Sequence, residues 1–172
     1  MTHYALIGHP LGHSLSPQIH RALLAAAHLE GDYRLLDIEP EDLANRLPEL
    51  QTLHGFNVTI PHKQAVLSAM AELDEKAALF GAVNTVAVRD GKFYGYNTDC
   101  YGFLRSLSAA GISLAGRVLV LGTGGVARMF AFEAVLAGAA VIVDGICAFL
   151  QYIVFKARKK LLLKGYTLHE HL

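Results

Sequence analysis

The chain has 172 residues, enough to bury a hydrophobic core in one large domain or two small ones. Fifteen basic and fifteen acidic residues cancel, so no net charge attracts nucleic acid or an anionic membrane surface. Its two cysteines, Cys100 and Cys147, are too few for a disulfide framework or a zinc site, which favours a reducing, cytoplasmic setting.

The first segments alternate between short apolar runs and stretches with helix signals. The opening MTHYALIGHP lacks the basic and apolar regions of a signal peptide, and residues 4–8 predict a buried strand. Ser16 and Pro17 then favour the start of a helix, because serine caps free amides and proline suits the first turn. The predicted core face of this helix consists of Ile19, Leu23 and Ala26.

The next segments continue the alternation. Residues 33–38 predict a second strand, and the acidic residues 39–42 suit the first turn of another helix. Residues 56–60 predict a strand that ends at Pro61, and residues 62–71 predict a helix. Strands alternating with helices indicate an α/β layer with a mostly parallel sheet.

A hairpin interrupts this pattern. The sequence VNTVAVR, then Asp90-Gly91, then KFYGYNT places an Asp-Gly pair between two β-rich runs, a strong hairpin signal. Residues 100–110 predict a helix that leads to a second unit.

The second unit reads as one β-α-β segment. Residues 117–122 predict a buried strand, a helix follows to about residue 137, and residues 140–143 predict another strand. The sequence GTGGVA over residues 122–127 fits G-x-G-x-x-G/A at the turn from strand to helix, where backbone amides can hold a pyrophosphate. This is the start of a dinucleotide-binding fold.

The character of the chain changes near Asp144. Residues 1–144 hold ten basic and fourteen acidic residues, whereas residues 145–172 hold five basic residues and only one acidic residue. No apolar run spans a bilayer, since the longest, residues 146–155, is broken by Gln151. The predicted organisation is therefore domains of residues 1–105, 106–144 and 145–172, the last a divergent helical tail.

Several polar residues are candidates for chemistry. Ser14 and Ser16 precede a helix, where amides and the dipole favour a carboxylate, although Ser16 could simply cap the helix. Lys63 is predicted in the first turn of a helix, where the dipole should lower its pKa and allow proton exchange, although this placement alone favours an ordinary solvated surface lysine.

Polar residues near strand ends complete the candidates. Asn57 and Thr59 share one strand face and could bind a polyol, while Asn84 lies at one end of the hairpin. If Asp99 lies beside Lys63, its charge would hold the lysine in place. The spacing of the histidines does not suggest metal ligation, so no metal site is predicted; these are His13, His20 and His62.

Together these motifs resemble a known family. The segments IGHPLGHSLSPQIH, GFNVTIPHK, GAVNT, GYNTD and GTGGVAR occur in the order and spacing of the shikimate dehydrogenase family, over residues 4 to about 143. The resemblance implies an α/β substrate domain with a mostly parallel sheet, followed here by a truncated Rossmann-like unit. It also implies NADPH-dependent, reversible reduction of 3-dehydroshikimate to shikimate.

The resemblance assigns roles to the candidates. Lys63 would exchange a proton with the substrate oxygen, and Asp99 would orient the lysine and bind a ring hydroxyl. The implied substrate-binding residues are Ser14, Ser16, Asn57, Thr59, Lys63, Asn84 and Asp99. The implied cofactor-binding residues are Glu75, Gly122, Thr123, Gly124, Gly125, Val126 and Ala127.

Departures from the family leave alternatives open. The family's segment that holds the 2′-phosphate of NADP is missing and Asp144 stands near its place, which would favour NAD. Only one β-α-β segment is present, so a shikimate-binding module without turnover is a second interpretation. Quinate as substrate with NAD is a third. In the tail, Gln151 is the candidate for the family's closing-helix glutamine. An unfinished sheet leaves a strand edge, which is compatible with a homodimer.

Overall fold

The computed structural model describes residues 1–122 and 125–144 of the chain. The chain divides into two compact units, Met1–Arg105 and a second unit that begins at Ser106. The helices are α1 (Ser16–Ala26), α2 (Leu43–Leu50), α3 (Glu75–Phe80), α4 (Asp99–Ala109) and α5 (Gly125–Leu136). The strands are β1 (Thr2–Gly8), β2 (Gly31–Asp37), β3 (Gly55–Val58), β4 (Met70–Leu73), β5 (Thr85–Arg89), β6 (Lys92–Tyr96), β7 (Arg117–Leu121) and β8 (Ala140–Asp144).

The first unit is built on a six-stranded sheet in the order β2-β1-β3-β5-β6-β4. β1 pairs in parallel with both β2 and β3, and β4 pairs in parallel with β6. The predicted hairpin is present as the antiparallel pair β5 and β6, and β5 also runs antiparallel to β3. The fold is thus the predicted α/β class with a mostly parallel sheet.

The core of this unit is formed by side chains of β1, β3 and the hairpin against the surrounding helices. Phe56 and Phe93 meet edge to face, with ring centroids 5.5 Å apart, an arrangement that aromatic quadrupoles favour. His62 is buried within this layer, and its Nε2 donates to the carbonyl oxygen of Ile38 at 2.7 Å. The buried imidazole is therefore satisfied by the backbone.

The helix predicted over residues 62–71 is wrong. Residues 61–64 form a turn, Ala65–Ala69 form a 3₁₀ helix, and the chain then enters β4. Pairing with β6 overrides the local preference of this segment, since an edge strand gains ladder hydrogen bonds that propensity does not register. The helix-dipole argument for Lys63 accordingly loses its basis.

The core face predicted for α1 is also wrong. α1 does begin at Ser16, but it has no buried residue, and Ile19 and Leu23 are more than half exposed. Within the first unit, α1 contacts the sheet mainly through β2. The helical spacing of the apolar residues identified the apolar face of α1. Whether that face is buried depends on tertiary packing, which the spacing does not report.

The second unit, in its described part, is one β-α-β segment. β7 and β8 pair in parallel from Arg117 with Ala140 to Leu121 with Asp144, and α5 connects them. This agrees with the predicted strand, helix and strand. The burial predicted for the first strand is wrong in this unit, since only Val120 of β7 is buried and Leu119 and Leu121 are exposed. Residues 145–172, including Cys147 and Gln151, lie outside the described residues.

Candidate active site

An ion pair lies at the carboxyl ends of the parallel strands. Lys63 Nζ donates to Asp99 Oδ2 at 2.6 Å, which joins the turn after β3 to the first residue of α4. The two side chains are 26% and 36% exposed, so the pair is sheltered yet open to a small ligand. A charge-assisted hydrogen bond this short holds the ammonium group in one place.

Asn84 fixes the other side of this pair. It is buried, and its Nδ2 donates to Asp99 Oδ1 at 2.7 Å and to Thr98 Oγ1 at 2.9 Å. Its Oδ1 accepts from the backbone N–H of Thr98 at 2.9 Å. Each oxygen of the Asp99 carboxylate thus has its own donor, which fixes the orientation of the carboxylate towards Lys63.

Asn57 extends the network along β3. Its Nδ2 donates to Thr85 Oγ1 at 3.2 Å and to the carbonyl oxygen of Asn84 at 3.4 Å. Its Oδ1 accepts from the hydroxyl of Tyr33 on β2 at 2.8 Å. Sequence analysis missed Tyr33, because a tyrosine in an apolar strand is typical of ordinary core packing.

The two serines lie in the loop between β1 and α1. Ser14 Oγ accepts from the backbone N–H of Ser16 at 3.3 Å, and the residue that precedes the helix is Leu15. Ser16 therefore does not cap α1, contrary to the alternative raised for it. Both serines are partly exposed at the N-terminus of α1, where free amides favour an anion.

Asp37, the last residue of β2, holds the start of this loop. Its carboxylate accepts from the backbone N–H of Leu11 at 2.9 Å and from His9 Nδ1 at 2.7 Å. The hydrogen bond from Leu11, followed by that from His9, lowers the pKa of Asp37 below its ordinary 3.8. The loop that carries the serines is thus tied to the neighbouring strand.

Thr59 reaches the same end of the sheet from β3. It follows the last residue of that strand, and its backbone N–H donates to the carbonyl oxygen of Ile7 at 2.9 Å. A Cβ at Gly8 would lie 2.4 Å from the Thr59 methyl, so only glycine permits this close approach. β1 and β3 therefore bring the serine loop and the lysine turn together.

A cavity of about 540 Å³ lies beside this network, between α1 and the sheet. Of the predicted ligands only Asn57 lines it, together with Tyr33, His20 and Thr85. The cavity wall is mostly apolar, and Lys63 and Asp99 are not part of it. We place the candidate active site at the Lys63–Asp99 ion pair. Charged groups held in a fixed geometry can transfer a proton, which the apolar wall of the cavity does not do.

The predicted cofactor residues are divided between the two units. Gly122 directly follows the strand β7 and has φ +119°, a conformation that side chains disfavour, and α5 begins at Gly125. Val126 and Ala127 lie in the first turn of α5, whereas Thr123 and Gly124 lie outside the described residues. Glu75 is the first residue of α3 in the first unit.

Two described features at the start of this unit suit a pyrophosphate. The N-terminus of α5 offers free backbone amides, and Gly122, directly after β7, has a positive φ. No group of three or more potential metal ligands occurs within residues 1–122 and 125–144. In the same part of the chain, no helix is long and apolar enough to cross a membrane.

Known proteins resemble the chain over most of its length. Residues 6–86 match the family described as the shikimate dehydrogenase substrate binding domain. A shikimate dehydrogenase (NADP(+)) of Oceanobacillus iheyensis is 51% identical over 130 residues, which cover 72% of this chain and 47% of that protein.

Solved structures show the same likeness. The crystal structure of Thermus thermophilus shikimate 5-dehydrogenase in complex with NADP(H) and shikimate has a TM-score of 0.79 at 39% identity, over 91% of this chain and 60% of that one. The Listeria monocytogenes enzyme, in complex with shikimate and NAD, has a TM-score of 0.76 at 30% identity, over 94% and 58% of the two chains. This chain spans about half the length of the curated relatives it matches.

Proposed function

Because residues 6–86 belong to the shikimate dehydrogenase substrate-binding family, we propose that this chain binds shikimate and carries the proton-transfer residues of an NADP-dependent shikimate dehydrogenase. The observation that carries the proposal is the contact of Lys63 with Asp99 at 2.6 Å, held from behind by Asn84. A sheltered ammonium group with a fixed carboxylate partner is what proton transfer to a developing alkoxide requires.

In the proposed reaction, Lys63 donates a proton to the carbonyl oxygen of 3-dehydroshikimate as that oxygen gains negative charge. In the reverse direction, it takes the proton from the shikimate hydroxyl. Asp99 keeps the ammonium group in place through Oδ2, and Asn84 holds Oδ1. NADP, when bound, supplies or accepts the hydride.

The substrate carboxylate is assigned to Ser14 and Ser16, which lie at the N-terminus of α1. The ring hydroxyls are assigned to Asn57, Thr59 and Asp99. Asn84 belongs to the same set, but both of its amide hydrogens are donated to Thr98 and Asp99. A substrate hydroxyl that bound the Asn84 amide would have to replace Thr98 Oγ1 as the acceptor of one of these hydrogens. Asn84 therefore acts chiefly by positioning Asp99.

We assign the cofactor to the second unit. Residues 122–127 would hold the pyrophosphate on the N-terminus of α5, and residues 106–144 are the start of the dinucleotide-binding domain that follows the substrate domain of residues 1–105. Glu75 stays a proposed cofactor contact on family resemblance alone. NADP is preferred because the curated relatives are named for it.

Several observations bear on other outcomes. Asp144 ends β8, where an acidic residue favours the 2′-hydroxyl of NAD, and the similar Listeria enzyme was crystallised with shikimate and NAD. A shikimate-binding module without turnover is the alternative function, which the binding and turnover assays below distinguish. A homodimer that pairs at an edge of the β7–β8 sheet is part of the proposal, since an uncovered strand edge favours association. We also propose that the protein is located in the cytoplasm.

The test is shikimate-dependent reduction of NADP⁺ by the chain, with NAD⁺ and quinate in parallel. Lys63→Ala is expected to lower turnover at least about 100-fold, the usual contribution of a general acid–base group. Lys92→Ala, on the exposed start of β6, is the matched control and should leave turnover unchanged.

Calorimetric titration with shikimate separates the remaining outcomes. Binding without turnover would identify the chain as a binding module. Turnover that survives Lys63→Ala would contradict the assigned proton donor. A folded chain that neither binds nor turns over shikimate would refute the proposal as a whole.

A further inference from the structure

The hydroxyl of Tyr33 lies beside Asn57, one of the proposed shikimate ligands. It donates to Asn57 Oδ1 at 2.8 Å. A phenol has a single hydrogen, so this hydrogen bond uses the whole donor capacity of the Tyr33 hydroxyl. Tyr33 thereby connects β2 to β3 across the intervening strand β1.

The amide of Asn57 has one orientation that satisfies all its neighbours. With Oδ1 towards Tyr33, Nδ2 faces the carbonyl oxygen of Asn84 at 3.4 Å and Thr85 Oγ1 at 3.2 Å. If the amide were flipped, Asn57 Oδ1 would face the carbonyl oxygen of Asn84, and two acceptors would oppose each other. The hydroxyl hydrogen of Tyr33 would also lose its acceptor. The phenol and the backbone carbonyl therefore select the same amide orientation.

Tyr33 can act as this donor under all ordinary conditions. Burial raises the pKa of Tyr33 to about 12, against a smaller opposing effect of the Ser16 side chain, so the phenol remains protonated at neutral pH. Its ring stacks on His20, with centroids 3.9 Å apart and planes inclined by 15°. His20 Nδ1 in turn donates to the carbonyl oxygen of Ser16 at 2.9 Å, which fixes the stack against α1.

We propose that Tyr33 is a positioning residue that sets the amide orientation of Asn57, so that Nδ2 faces Thr85 Oγ1, with which a substrate hydroxyl would exchange. The inference rests on the proposed function, since Asn57 matters here as a ligand of shikimate. Tyr33 itself acts through Asn57 and is not assigned a substrate contact. Tyr33 lines the apolar cavity between α1 and the sheet, and the apolar wall shelters the phenol from solvent.

The test compares Tyr33→Phe with Tyr4→Phe in the full chain. Tyr4 pairs with Tyr33 in the register of β1 and β2, and within the described residues its hydroxyl has no hydrogen-bond partner. Tyr33→Phe is expected to weaken shikimate binding about five- to tenfold by calorimetry, whereas Tyr4→Phe stays within about twofold. Equal thermal midpoints would show that neither variant loses its fold.

Two further measurements distinguish positioning from packing. In an Asn57→Ala background, Tyr33→Phe should have almost no additional effect on shikimate affinity. The side-chain amide resonances of Asn57 in ¹⁵N-labelled protein without ligand should shift in Tyr33→Phe and not in Tyr4→Phe.

The outcomes separate the two proposals. Wild-type affinity in Tyr33→Phe, an undiminished effect in the Asn57→Ala background, or unchanged Asn57 resonances would each overturn the positioning role. If the wild-type chain fails to bind shikimate, the proposed function falls, and the unliganded amide resonances still decide whether Tyr33 orients Asn57.

Discussion

Single side chains at this site work by holding other groups in place. The carboxylate of Asp37 accepts hydrogen bonds from the backbone of Leu11 and the ring of His9, and both contacts lie in the loop that leads to Ser14 and Ser16. Because these donors favour the charged carboxylate, they lower the pKa of Asp37 in the folded state. Its contribution to stability should therefore depend on pH.

We expect acid to remove this contribution. A carboxyl group whose folded pKa is depressed stabilises the native state above its unfolded pKa, and the effect is lost as pH falls through the folded pKa. The stability difference between wild type and Asp37→Asn should thus be largest near neutral pH and shrink below about pH 4.

Urea unfolding at pH 7 and at about pH 3 measures this difference. Glu41→Gln, on an exposed residue, serves as the matched control for removing one surface charge. A difference that grows on acidification would contradict the assigned role of Asp37.

Residue-scale prediction succeeded where charge and motif coincide. The proximity of Lys63 and Asp99 was raised from the sequence, and the structure brings them to 2.6 Å across 36 residues of chain. Tyr33 was not found, since its role depends on reaching Asn57 across β1, a distance that only sheet order defines. The polar groups of Asn84 likewise turn out to be directed at Thr98 and Asp99.

At the scale of elements, the hairpin of β5 and β6 joins two groups of site residues. Asn84 precedes β5, and residues 97–99 follow β6, so the antiparallel pairing of the two strands places them side by side. The turn between the strands has positive φ at both central residues, 51° at Asp90 and 69° at Gly91. This is the geometry of the tight hairpin turn that an Asp-Gly pair favours.

Gly91→Ala should destabilise the chain by about 1 kcal/mol, because a side chain is disfavoured at positive φ although the space around it is open. Gly102→Ala should instead stabilise it, by up to about 1 kcal/mol, because Gly102 lies within α4 in open space where alanine has the better helix propensity. Chemical denaturation of the two variants measures the contrast. Equal effects of the two substitutions would contradict the turn assignment.

Element prediction failed where tertiary pairing decided the outcome. β4 and α3 were not predicted, although α3 carries recognisable boundaries, an Asp74 that caps the N–H of Ala77 at 2.8 Å and a C-terminal Gly81 with φ +60°. These cap signals are short and local, and α3 has only six residues between them. β4 forms by pairing with β6, a partner that local sequence does not identify.

At the scale of the whole molecule, the described core cluster belongs entirely to the first unit. Its buried members run from Ala5 to Phe93, all before the division at Arg105. The proposed substrate ligands lie within the same range, from Ser14 to Asp99. A domain with its own core and its own sheet should fold by itself.

We therefore expect a fragment of residues 1–111, which ends after α4, to unfold in one cooperative transition. It should bind shikimate with an affinity within about threefold of the full chain, since every proposed substrate ligand is retained. Urea denaturation followed by circular dichroism, together with calorimetry, tests both expectations. A gradual, non-cooperative transition would show that residues beyond 111 contribute to the first core.

The sequence by itself determined the family, the α/β class and the hairpin, because motif order and turn chemistry are written in local residue types. It raised the contact of Lys63 with Asp99 only as a condition, and the tertiary structure decided it. The tertiary structure alone decided the sheet order, the strand β4, the exposure of α1 and the connection of Tyr33 to Asn57. Those features depend on which segments meet across long stretches of chain, and local propensity contains no term for such encounters.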